Sequence, residues 1–215
     1  PPEVLKIRQG KARFVIPRYP HPDFELPEAE KESEFLESEF GAAAVEPHSA
    51  PVRKLIGEPG AFDLLHFACH GVAEQDNITN AQLLMEGRIE GEKYIPEYFS
   101  ATLAEHVGNL TGSEGNRPMV VLNACQAGRA GYKLTGIGGF AQAFLKAGAG
   151  VFIGTLWSVG DSPARTFTEA LYKELRSGKN LAQATIAGRK KAQDAGDATW
   201  LAYVVYGHPH VTLSS

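Results

Sequence analysis

Two stretches decide how this chain is read: Phe62-Asp63-Leu64-Leu65-His66-Phe67-Ala68-Cys69-His70-Gly71 and Met119-Val120-Val121-Leu122-Asn123-Ala124-Cys125-Gln126-Ala127-Gly128. Both are short apolar runs without the polar alternation of a half-exposed strand, so each predicts a parallel strand buried on both faces. Each run ends in a chemically useful side chain just before or near a glycine. In an open α/β sheet, ligands bind beyond the carboxyl ends of the strands. If the two strands are neighbours, the imidazole of His70 and the thiol of Cys125 meet at one crevice, an arrangement that suits a cysteine nucleophile served by a histidine.

Working outward, strand and helix signals alternate. Residues 13–19 read as a first strand, bounded by Pro17 and Pro20. Residues 26–40 read as an acidic helix with Leu26, Ala29, Phe35, Leu36 and Phe40 near one face. Pro27 opens it and Gly41 closes it. Residues 42–45 predict a short strand and residues 50–56 a short helix, with Ser49 as cap and Pro51 in its first turn. After the His70 strand, residues 72–92 are polar and turn-rich, with a hairpin expected around Glu86-Gly87-Arg88. Residues 100–106 predict a short helix and residues 110–118 an exposed connector. Beyond the Cys125 strand come a loop at 129–136, a helix at 137–147, a strand at 150–159 and a helix at 162–177 capped by Asp161 or Ser162. A helix at 180–194 and a final strand at 199–206 follow. The pattern predicts one α/β domain over residues 1–215, a mostly parallel sheet flanked by helices on both faces.

Composition narrows the function classes. The chain has 215 residues, 43% hydrophobic and 21% charged, which is enough to bury a core without disulfides. Its net charge of −4 and lack of a basic stripe predict no nucleic-acid contact. No apolar stretch reaches membrane-spanning length, so no membrane contact is expected. Two cysteines in buried-looking strands favour a reducing cytoplasm. The chain opens Pro1-Pro2-Glu3 without methionine, which predicts a piece of a longer protein.

The same residues resemble a known family. A His-Gly at one strand end and an Ala-Cys at the next, with the histidine roughly 50 residues upstream, are similar to the caspase-type peptidases. The nearer resemblance is to the CHAT domain, a caspase-like domain often found after TPR repeats in bacterial proteins. It is carried by His66-Phe67-Ala68-Cys69-His70-Gly71, by Leu122-Asn123-Ala124-Cys125-Gln126-Ala127-Gly128 and by Gly139-Phe140-Ala141-Gln142-Ala143-Phe144. Ala147-Gly148-Ala149, Gly154-Thr155-Leu156-Trp157-Ser158-Val159-Gly160-Asp161 and Thr199-Trp200-Leu201-Ala202-Tyr203-Val204-Val205-Tyr206-Gly207 extend it. The resemblance implies a cysteine endopeptidase in bacterial signalling or defence, cleaving a protein substrate and switched on by another domain or partner. It also implies the backbone N–H groups of Gly71 and Cys125 as oxyanion donors. Many CHAT sequences carry an acid in the loop after the cysteine; here Gly131-Tyr132-Lys133-Leu134-Thr135-Gly136 has lysine instead.

In this reading His70 is base and acid, and Cys125 is the nucleophile, with no metal or organic cofactor required. Gly71 matters because a side chain there would block the substrate carbonyl. Asp161 is the candidate selector of Lys or Arg before the cut, against its plainer role as a helix cap. Trp157 and Ser158 are further substrate-binding candidates, and Glu74 and Asp76 are weaker acidic ones. Cys69 alternates away from His70 and reads as core; a Cys69–Cys125 disulfide on neighbouring strands is disfavoured by a reducing compartment. His66 lies one strand segment away and reads as a satisfied buried histidine. The acidic run from Glu28 to Glu39 reads as a solvated helix face. Gly136-Ile137-Gly138-Gly139 lacks the dinucleotide spacing, and His208-Pro209-His210 lacks the further ligands of a metal site. A non-catalytic interaction domain and a thiol hydrolase of small esters or amides remain the rival readings.

Overall fold

In the computed structural model the described residues are 2–72, 81–112, 115–125, 138–157, 159–196 and 198–214, with the backbone alone at 125 and 138. The two quoted stretches form the centre of the sheet. Strand β4 (Leu64–Val72) and strand β7 (Met119–Cys125) pair in parallel without a break, from Leu64 opposite Met119 to His70 opposite Cys125. Residues 64–70 and 119–124 are buried on both faces, as continuous apolar runs require.

Outward from this pair, β4 meets β2 (Ala12–Val15), and β2 meets the two-residue β3 (Ala43–Ala44), both in parallel. On the other side β7 pairs in parallel with β8 (Val151–Thr155). The edge strand β9 (Tyr203–Tyr206) runs antiparallel to β8. Beyond its pairing with β2, the end of β4 is taken up by an antiparallel hairpin of β5 (Gln82–Glu90) and β6 (Lys93–Ser100). Arg18 N–H donates to the Glu86 carboxylate at 3.2 Å and Glu86 N–H to the Pro47 carbonyl at 3.0 Å. These bonds place β5 on the β2–β3 side of β4, away from β7.

Strand alternation sends successive side chains into two cores. Leu65, Phe67 and Cys69 of β4, with Val120 and Leu122 of β7, face α2 (Ser49–Gly57), α3 (Ala101–Val107) and α4 (Gly138–Ala147). Leu64, Met119, Val121 and Ile153 face the other way. They pack against α1 (Pro27–Phe40), α5 (Asp161–Arg176) and α6 (Leu181–Asp194). The result is the expected mostly parallel sheet with helices on both faces. Strand β1 (Val4–Lys6) pairs in parallel with β10 (Thr212–Ser214) as a separate two-stranded sheet, a pairing too short to leave a pattern in the sequence.

Several boundaries differ from the sequence reading for identifiable reasons. Gly41, at φ 56°, closes α1 as expected, its N–H bonded to Glu37 O. Asn180 and Gln183 close a capping box on α6. Asp161 is the first residue of α5, not its cap; Gly160 holds the cap position. The cap of α2 is His48, and Ser49 N–H is taken by the Glu97 carboxylate at 2.7 Å. The expected strand at 199–206 begins as a helical turn, α7 (Thr199–Ala202), and only its second half is β9. Glu86-Gly87-Arg88 is a bulge inside β5, where the register with β6 shifts, and the hairpin turns at residues 91–92. Gly87 sits there at φ +69°, and a Cβ would come within 2.5 Å of Ile95 O and 2.8 Å of the Tyr94 ring.

Candidate active site

Residues 70 and 125 stand opposite each other at the last paired position of β4 and β7. The register brings the two strand ends, and with them the backbone positions of residues 70 and 125, to one edge. Gly71 follows on β4 and pairs with Leu83 of β5. Among the described residues, a Cβ built on Gly71 would touch only the Ala124 methyl, at the ordinary contact distance of 3.5 Å. The described part of the site thus leaves room for a methyl group at this position.

The histidine is held on three sides. Its backbone N–H donates to the Tyr19 hydroxyl at 3.1 Å, and that hydroxyl donates to Leu84 O at 2.8 Å. The Tyr19 and Phe24 rings pack against the imidazole with centroids at 5.1 and 5.8 Å. The Nε2 atom lies 2.9 Å from the carbonyl oxygen of Phe24. A carbonyl only accepts, so Nε2 carries the proton and Nδ1 is the basic nitrogen of the neutral ring. Phe24 ends the short 3-10 turn η1 (Pro22–Phe24), which His21 caps by accepting Asp23 N–H. This local turn aims the carbonyl that fixes the tautomer.

A cleft of about 160 Å³ opens beside His70 and Gly71, between Phe24 and the hairpin residues Leu84, Tyr94, Pro96 and Tyr98, with Val72 at its rim. Small-molecule pockets usually measure roughly 300–1,000 Å³, so this space suits a single side chain better than a whole small substrate.

Beneath the site lies a buried polar cluster. Glu32 of α1 is 2% exposed. Both its carboxylate oxygens accept from Asn123 Nδ2 at 3.0 Å, and it accepts from the Thr168 hydroxyl. Tyr203 OH donates to Asn123 Oδ1 at 2.7 Å. His66 is fully buried, its Nδ1 2.9 Å from the Tyr172 hydroxyl and its Nε2 3.3 Å from Glu32. Burial, followed by the Glu32 charge, pushes the Tyr172 hydroxyl well above its usual pKa. Glu32 thus ties α1 to β7 two residues before Cys125. The acidic run is not a uniformly solvated face. The signal for this was present: Glu32 stands three after Ala29 and four before Leu36, on their buried face.

The other site candidates are placed as follows. Asp161 is half-buried, and its Oδ2 accepts Glu28 N–H at 2.9 Å. Burial raises its pKa, with the Glu28 and Glu32 carboxylates adding to the rise, while the Glu28 N–H and the nearby His70 oppose it. Trp157 packs on Val159, Ala164 and Ala202 and does not line the cleft beside His70. Cys69 is wholly buried in the core on the α4 side. Ser158, Glu74, Asp76 and the loop carrying Lys133 lie outside the described residues. Among the described residues no group of three or more His, Cys, Asp or Glu could hold a metal ion, and no helix is long and apolar enough to cross a membrane.

A model of the family described as "CHAT domain" matches residues 11–208. Among solved structures, the chain is similar to a *Saccharomyces cerevisiae* separase–securin complex at 16% identity and TM-score 0.58, covering 98% of this chain and 13% of that one. It is similar to the Arg-specific cysteine proteinase gingipain R at 13% identity and TM-score 0.59, covering 94% and 47%. It also matches a complex of pro- and mature domains from *Porphyromonas gingivalis* at 12% identity and TM-score 0.54, covering 93% and 48%. The chain thus spans less than half the length of each of these. No curated protein matches it. At these identities the likeness is one of fold, and it agrees with the caspase-like architecture that the family resemblance implied.

Proposed function

We propose, from the premise that this chain belongs to the CHAT domain family, that it is a cysteine endopeptidase working through His70 and Cys125. The observation that carries this reading is the register that sets His70 opposite Cys125, together with the Phe24 carbonyl that holds the proton on Nε2. In the proposed cycle His70 Nδ1 takes the Cys125 thiol proton. The thiolate attacks the peptide carbonyl, and the oxyanion is met by the N–H groups of Gly71 and Cys125. On collapse the C–N bond breaks, and His70 returns its proton to the leaving amine. Water, deprotonated by the same imidazole, then releases the acyl group. The Phe24 carbonyl stabilises the imidazolium formed in each half.

The setting we propose is a bacterial cytoplasmic signalling or defence protein whose dedicated substrate is another protein, with activation by a further domain or partner. The whole of residues 1–215 serves as one peptidase unit in this reading, within a larger protein. Asp161, Trp157 and Ser158 remain the proposed binders of substrate before the cut.

The test is a digest of a proteome-derived peptide library by wild type and by Cys125→Ala, alone and with the products of neighbouring genes. Cuts present in wild type and absent in the variant are expected. Selective alkylation of Cys125 by a thiol-directed electrophile is expected as well. Inertness of that cysteine together with no dependent cuts would replace the enzyme with a binding module.

A further inference from the structure

We propose that the cleft between Phe24 and the β5–β6 hairpin is the subsite for the first residue on the leaving side of the cut, and that it selects an aliphatic or aromatic side chain there. The inference rests on the peptidase reading and adds the class of substrate.

Strand order gives the side. β4 has β7 on one flank and β5 on the other, so across the site the sequence is Cys125 position, His70, then hairpin. The histidine must reach the nitrogen that departs, so the leaving half of the peptide lies over His70 and continues toward β5 and β6. The cleft begins at His70 and Gly71, where that half would enter.

The lining gives the class. Alternation along β6 sends Tyr94, Pro96 and Tyr98 to the cleft and Glu97 and Phe99 to the opposite face. The one acid in this stretch of β6 is thereby removed: Glu97 accepts Ser49 N–H and meets His48 Nδ1, both at 2.7 Å. Glu86, on β5, is directed toward Arg18 N–H. Among the described residues, the titratable groups lining the cleft apart from His70 are the phenols of Tyr94 and Tyr98, so a charged substrate side chain would lose water against this wall without meeting an opposite charge. The aromatic wall is built in: Phe24 packs against Tyr94 at 5.7 Å, and Tyr94 lies over the bare Cα of Gly87 and donates to Glu86 O at 3.2 Å. A volume of about 160 Å³ admits one side chain.

The experiment takes one peptide cut by wild type and not by Cys125→Ala, and varies only the residue after the cut. Phenylalanine or leucine there should raise kcat/KM about tenfold or more over glycine, with aspartate below glycine. Tyr98 is 42% exposed, so Tyr98→Glu can fold; it should collapse the Phe/Gly ratio and raise the Lys/Gly ratio severalfold. Equal rates for Phe, Gly and Asp in wild type, or a Phe/Gly ratio unchanged in Tyr98→Glu, would overturn the proposal. Fluorescence polarisation of the same peptides on Cys125→Ala separates the two readings. Tighter binding of the Phe peptide, lost in Tyr98→Glu, sustains the cleft even if no peptide is cut, in which case only the peptidase reading falls.

Discussion

Strand β4 is held very differently at its two ends. Just before it, Asp63 is 1% exposed and saturated with donors: Arg8 Nε and Nη2 at 2.8 Å, Arg8 N–H at 2.9 Å and Asn116 Nδ2 at 2.5 Å. Burial pushes that carboxyl up, and the bonds and charge of Arg8, with Asn116, outweigh it and hold it below its usual range. At the far end, the fastenings of His70 include a tyrosine hydroxyl, a carbonyl and two ring faces, and an apolar cleft opens beside it. The nearby Asp161 carboxyl is raised by burial and by two neighbouring carboxylates, the reverse of Asp63. One end of the strand has its polar demand met within the protein. The other end opens onto an apolar cleft, where an α/β sheet places its ligands.

Substitutions at the two ends should therefore separate rate from stability. The largest effect is expected from His70→Ala, which should lower peptide cleavage by on the order of 10²–10⁴-fold and slow alkylation of Cys125 at neutral pH; a rate unchanged within twofold would remove the histidine from the chemistry. Gly71→Ala is next. Because the described residues leave room for the methyl, its melting temperature should match wild type, while kcat/KM drops about tenfold or more as the methyl meets the substrate carbonyl. A variant that melts early would make Gly71 a packing residue instead. At the opposite end, Asp63→Asn turns one acceptor into a donor facing Arg8 or Asn116. It should cost about 2–3 kcal/mol, seen as a melting point lower by roughly 5–10 °C, with the rate per folded molecule kept.

The smallest effect sharpens the contrast by sign. Asp63 has a lowered pKa, so its contribution is complete above its unfolded value and is lost as pH falls through the lowered one. Asp161 has a raised pKa, so stability is lost as pH rises from its unfolded value through the raised one. Urea unfolding between pH 3 and 7 should show the acid-side loss reduced in Asp63→Asn and the rising-pH loss removed in Asp161→Asn. The asparagine at 161 can still accept Glu28 N–H, so no other change in stability is expected there; the same pH slope in wild type and Asp161→Asn would contradict the assignment.

What the sequence made legible follows the range of each interaction. β4 and β7 are visible because burial on both faces writes itself into nearly every position, and the end of α1 at Gly41 because its signal is local; the caps of α2 and α5 fall one residue earlier, at His48 and Gly160, where the backbone and not the cap side chain sets them. The hairpin was half hidden: Pro96 argues against a strand, and only an edge strand such as β6 tolerates it. The Phe24 carbonyl that orients His70 has no signature, since every residue carries one and only the fold brings this one within 2.9 Å. Glu32 was masked by its acidic neighbours, although its spacing from Ala29 and Leu36 put it on the buried face.

The pairing of β1 with β10 has a mechanical consequence. The two strands run the same way, from Val4 opposite Thr212 to Lys6 opposite Ser214. Tension applied between residues 2 and 214 pulls them along their length in opposite senses. The small sheet is then loaded in shear, with its bonds strained together, instead of being peeled open one at a time. The chain between Leu5 and Leu213 is closed into a ring by this clasp, and a pull on its ends is carried by the clasp before it reaches the strands that hold His70 and Cys125.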